Sequence, residues 1–107
     1  MKLPVHLTEA NGLSAPVYPT CQVVPPARDG TDSGPWNTLN FPTNTAISSQ
    51  SSMPATTVPS GLTDAGLPVG MEVLARPYDG PTVFAVAHGF ETVGLHRHLP
   101  DATPVPA

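Results

Sequence analysis

The chain has 107 residues, a net charge of −4, a single cysteine and only 11% charged side chains. Its 24 Leu, Ile, Val and Phe residues are matched by 24 Pro and Gly. That ratio is poor for a self-sufficient core, because ordering the backbone costs about 1–2 kcal/mol per residue. Four isolated basic residues, Lys2, Arg28, Arg76 and Arg97, cannot track a phosphate backbone, which excludes nucleic-acid binding by charge. No apolar run approaches the roughly 20 residues of a membrane span.

In chain order, residues 1–15 carry no hydrophobic period and read as an irregular leader without the apolar core of a secretory signal. With one cysteine there is no intramolecular disulfide, which suits a reducing, cytoplasmic setting. Val17 to Val24 is a β-prone run bounded by Pro16 and Pro25-Pro26, the length of one buried strand. Residues 25–35 are a loop by turn chemistry, and Trp36 to Gln50 is polar and without period. Ala55–Pro59 and Pro68–Ala75 are β-prone runs separated by the turn-forming Thr63-Asp64-Ala65-Gly66, a hairpin-like pair. Pro59 cannot donate to a ladder, so the first run belongs at an edge or at a bulge. In the second, Val69, Met71, Val73 and Ala75 share one face, with Gly70, Glu72 and Leu74 on the other.

One helix follows. Asp79 or Gly80 serves as N-cap, Pro81 suits the first helical position, and Val83, Val86, Ala87 and Phe90 form an apolar stripe. Gly94 closes the helix as its C′ residue, with His96 and Arg97 just beyond. The stretch 99–107 holds three prolines and reads as an unstructured tail.

Six short elements occur in a telling order: Tyr18-Pro19-Thr20, Phe41-Pro42-Thr43-Asn44, Met53-Pro54-Ala55 ending in Pro59-Ser60-Gly61, Gly66-Leu67-Pro68-Val69-Gly70, Arg76-Pro77-Tyr78-Asp79, and a helix ending at Phe90-Glu91. Residues 16–98 on this basis resemble the carboxyl-terminal portion of amidase-signature hydrolases. The resemblance implies an α/β fold in which this portion is a piece of a mixed sheet, the hairpin-like strands followed by one covering helix, with irregular termini. It further implies carboxamide C–N hydrolysis by two serines and a lysine acting as nucleophile and proton relay, without a cofactor. Those groups lie upstream in the family. No Gly-Gly-Ser-Ser-Gly-Gly occurs here, and the single lysine, Lys2, lies in the leader, so no catalytic residue carries over. Two departures stand out: Ser52 occupies a place usually held by glycine, and Gly80 stands near where an acidic residue often opens the last helix.

The remaining chemistry-bearing residues each have a plain structural reading. Thr43 and Asn44 lie where the resemblance puts acyl-pocket lining, and they equally suit the capping of a turn. Ser48 to Ser52 lacks the flanking glycines and partner lysine of a nucleophile loop. His6, His88, His96 and His98 have no Cys or carboxylate at ligand spacing, so no metal site is expected. Cys21, in an apolar run, is expected to be buried and inert. Glu72, between Met71 and Val73, is expected to face a polar neighbour or a missing half.

The expectation is a scaffold and acyl-pocket component of an amidase, either a truncated reading frame or a small subunit completing a separately encoded catalytic half or a homologous amidase chain. A small-molecule amide would bind only in the complete enzyme. The alternative is a non-catalytic binding or structural module, or a nonfunctional remnant.

Overall fold

A computed structural model describes residues 3–29, 34–37, 39–40 and 43–99. The elements run α1 (Leu3–Ala10), β1 (Val17–Pro19), α2 (Ala46–Ser51), β2 (Ala55–Leu62), β3 (Pro68–Leu74) and α3 (Gly80–Val93). The three strands form one sheet in the order β1-β3-β2, with both pairings antiparallel. The described sheet is therefore not mixed, and two helices accompany α3. The tail from Pro100, the Phe41-Pro42 pair and Lys2 lie outside the described residues.

The hairpin forms where turn chemistry places it. The Gly66 amide donates to the Thr63 carbonyl at 2.8 Å and the Thr63 amide to Leu67 at 2.9 Å, with Gly66 at φ 79°, a conformation glycine adopts without penalty. β2 pairs with β3 from Ala55↔Leu74 to Leu62↔Pro68, and the register shifts between Pro59 and Gly61. Pro59 thus lies both on an edge strand and beside a bulge, as its missing N–H requires. The Ser60 hydroxyl donates to the Val69 carbonyl at 3.2 Å.

β1 is shorter than the expected run. Its last rung is the Thr20 amide on the Gly70 carbonyl, at 3.0 Å; beyond Gly70, β3 offers only Val69 and then Pro68, which has no N–H, so the ladder closes. The bonds Leu74 N to Pro16 O and Thr20 N to Gly70 O turn the backbone groups of Val17 and Pro19 toward the outer edge. There the Asn44 side-chain amide donates to the Pro19 carbonyl at 2.8 Å.

α3 begins as read: Asp79 is the N-cap, its side chain accepting from the Thr82 amide at 3.4 Å, with Pro81 in the first turn. Gly94 ends it in an extended conformation, φ −177°, and not in the left-handed one expected of a C′ glycine. Its stripe lies on the sheet: Val83 and Ala87 are buried, and Val86 and Phe90 half-buried. The core comprises Met53, Val58, Val73, Leu74, Ala75, Val83 and Ala87. Among the described residues only Val73 and Leu74 are large side chains that are completely enclosed, so burial at about 1.5–3 kcal/mol per such side chain yields little. The central strand is covered on both faces at its carboxyl end, where Glu72, Val73, Leu74 and Ala75 are all buried.

Residues 3–10 form a helix where an irregular leader was expected. The Leu13 amide donates to the Thr8 carbonyl at 2.9 Å and the Gly12 amide to Glu9 at 3.3 Å, with Gly12 at φ 64°; this is the Schellman arrangement. Pro4 sits in the first turn, where its missing N–H is tolerated. α2 is also unforeseen. It is one short run ending at Ser52, whose φ is 56°, so a side chain does occupy the left-handed position where glycine is usual.

Candidate functional site

A groove of about 730 Å³ opens where β1, the residues after it and the amino-terminal half of β3 meet the carboxyl end of α3. Val17, Gln22, Val69, Met71, Phe90 and His96 form its walls. Val17 and Val69 remain 50% and 37% exposed, so apolar surface stays wet. The His96 ring stacks on Phe90, centroids 4.6 Å apart and planes 20° apart. Gly94 permits this fold-back, since a Cβ there would lie 3.3 Å from His96 Nε2.

Two buried side-chain atoms among the described residues have no hydrogen-bond partner, Gln22 Oε1 and His96 Nε2, and both residues line this groove. The other end of Gln22 is engaged, its Nε2 donating to the Asn40 carbonyl at 3.3 Å and to Thr43 Oγ1. Buried polar atoms are nearly always paired in folded proteins, which sets these two apart.

Cys21 also lines the groove. The apolar run around it predicts a buried thiol; it is exposed instead, because β1 stops at Pro19. Glu72 is 5% exposed and accepts a hydrogen bond of 3.0 Å from the Tyr18 hydroxyl, the polar neighbour anticipated for it. Burial, then the hydrogen bond to Glu72 and the proximity of its carboxylate, push the Tyr18 phenol well above its ordinary range.

Thr43 and Asn44 hold the entry to α2: the Ala46 amide donates to the Thr43 carbonyl and the Ile47 amide to Asn44, both at 3.2 Å. Their side chains reach Gln22 and Pro19, and neither lines the groove. The serines of α2 bond back onto their own turn, Ser48 and Ser49 to the Thr45 carbonyl and Ser51 to Ile47 at 2.6 Å. His6, His88 and His98 are exposed. No group of three potential metal ligands occurs among the described residues, and no helix there is long and apolar enough to cross a membrane.

Sequence reasoning missed the groove because its walls come from three distant stretches. Even so, Val17, Val69 and Phe90 each stood out as apolar positions.

Comparison with known proteins locates a relationship. The glutamyl-tRNA(Gln) amidotransferase A-subunit of Granulibacter bethesdensis is 40% identical over 48 residues, which is 45% of this chain and 10% of that protein. The A-subunit of Methanosarcina acetivorans is 44% identical over 48 residues, again 45% and 10%. That of Geobacillus stearothermophilus is 40% identical over 63 residues, 58% of this chain and 12% of the relative. These relatives are amidase-signature enzymes, so the resemblance read from the motifs holds over part of the chain. The matched segment spans about a tenth of each relative's length. No family profile and no solved structure matches the chain.

Proposed function

We propose that these 107 residues serve as the scaffold portion of an amidase-type hydrolase, supplying the β2–β3 hairpin and α3 beside a cleft whose serine and lysine machinery is carried by other polypeptide. The observation behind this reading is the 40–44% identity to the amidotransferase A-subunits, joined to the role of the matching motifs in the fold. Gly66 to Gly70 makes the hairpin turn and the start of β3, and Arg76-Pro77-Tyr78-Asp79 turns the chain into α3, the Asp79 amide donating to the Arg76 carbonyl at 3.0 Å. The chain's own serines in α2 are spent on backbone carbonyls, which leaves none of them poised beside a base. On this reading Thr43 and Asn44 shape acyl-pocket surface in the complete enzyme, and the substrate is a carboxamide.

The experiment is complementation. The Granulibacter bethesdensis protein lacking the 48-residue segment shared with this chain is co-expressed with the full chain, its own excised segment serving as positive control. Hydrolysis of a carboxamide panel is expected from the pair and from neither part alone. Turnover by this chain by itself, lost on substituting one of its serines, would defeat the proposal.

The open groove favours a second reading, a binding module without catalysis. It predicts specific capture of a ligand by the isolated chain with no gain of hydrolysis in the pair.

A further inference from the structure

We infer that the groove between β1, β3 and α3 is the seat of an extended, largely apolar polypeptide segment belonging to the larger amidase-like body. This rests on the reading above and assigns the surface through which it operates. Three observations converge. Val17 and Val69, 50% and 37% exposed, stand on the walls with Met71 and Phe90; apolar surface left in water gains stability when a partner buries it. The two buried, unpartnered polar atoms among the described residues, Gln22 Oε1 and His96 Nε2, are carried by residues of the same walls. Such atoms are costly to leave unpaired, and a peptide backbone brings both N–H donors and C=O acceptors. Finally, the shared segment is only 10% of each of these relatives, so the occupant belongs to a body of that kind.

The mode of seating follows from the edges. The outer rim of β1 is three residues long and its Pro19 carbonyl already accepts from Asn44, so little ladder is open to a new strand. The segment must engage through side chains dropped between Val17, Val69 and Phe90.

Cys21 gives a direct reporter, because it is the chain's single cysteine, is exposed and lines the groove. The full chain is co-expressed with the truncated Granulibacter protein described above, and alkylation of Cys21 by iodoacetamide is followed by peptide mass spectrometry, with sedimentation velocity reporting assembly. Burial should slow Cys21 alkylation by about tenfold or more in the complex. Val17→Asp and Val69→Asp should each weaken assembly by about tenfold or more, the effect of a charge in the centre of an apolar interface. Phe84→Asp, on a helix side chain 72% exposed and outside the groove, should change it less than about twofold. The labelling arm needs no variant, so it decides the matter even if one of these fails to fold.

A complex in which Cys21 reacts at its free rate and Val17→Asp assembles normally would overturn the groove assignment while leaving the scaffold reading intact. Protection of Cys21 in the chain alone, dependent on its concentration and removed by Val17→Asp, would give the groove to a second copy and overturn the assignment too. No assembly of the pair, with the excised-segment control assembling, would sink both.

Discussion

The Tyr18 hydroxyl meets the Glu72 carboxylate at 3.0 Å across the β1–β3 pair, at positions directly opposite in register. It is the one side-chain hydrogen bond to Glu72 among the described residues. A carboxylate in this position owes its tolerance to that donor.

Tyr18→Phe should therefore destabilise the folded sheet by about 1–3 kcal/mol, the cost of leaving a buried acceptor unpaired. The readout is amide-exchange protection of β3, in the chain or in its complex, whichever carries the sheet. The same pair has an alkaline signature. The phenol's folded pKa lies above its ordinary value near 10, so the folded state holds its proton after the unfolded state has lost it. The contribution is complete below about pH 10 and is lost as pH rises from there toward the folded value. Wild-type stability should fall on that limb, and Tyr18→Phe should flatten it; a limb of unchanged slope in the variant would contradict the assignment.

Gly70 sits under a threonine bridge. A Cβ built there would lie 2.8 Å from Thr57 Cγ2 and 3.1 Å from Thr20 Oγ1, and those two threonine hydroxyls meet over it at 3.4 Å. Gly70→Ala should cost about 1–3 kcal/mol through overpacking. Thr57→Ser, which deletes the clashing methyl and keeps the hydroxyl, should recover a measurable part of that loss in the double variant. A double-mutant cycle with purely additive effects would show that the clash is absent.

Ser52 holds φ at 56° at the end of α2, a conformation that disfavours any side chain. Ser52→Gly should raise stability by about 1 kcal/mol, visible as a higher unfolding midpoint. No gain would mean that the left-handed turn is not kept in solution.

Legibility in the sequence follows the range of the signal. The β2–β3 hairpin, the edge placement of Pro59 and the N-cap of α3 rest on neighbours within a few positions, and each can be read directly. α1 leaves a local signal too, in Asn11-Gly12 after Pro4. Apolar periodicity does not detect it, because the helix is closed by its glycine while Leu7 stays 55% exposed. α2 has no apolar signal at all, its serines bonding to their own carbonyls. The length of β1 depends on where β3 runs out of amides, and the groove on Phe90 and His96 meeting Val17 and Val69, which no local rule supplies. The exposure of Cys21 escapes a local reading for the same reason, being set by the strand's end.

The two rims of the sheet carry a last implication. β2 is interrupted by Pro59 and the bulge at Ser60, and β1 has its outward carbonyl at Pro19 covered by Asn44. Neither rim presents an unbroken row of amides for a like strand to zip onto. Both rims of the described sheet are thereby guarded against edge-to-edge pairing with a like strand.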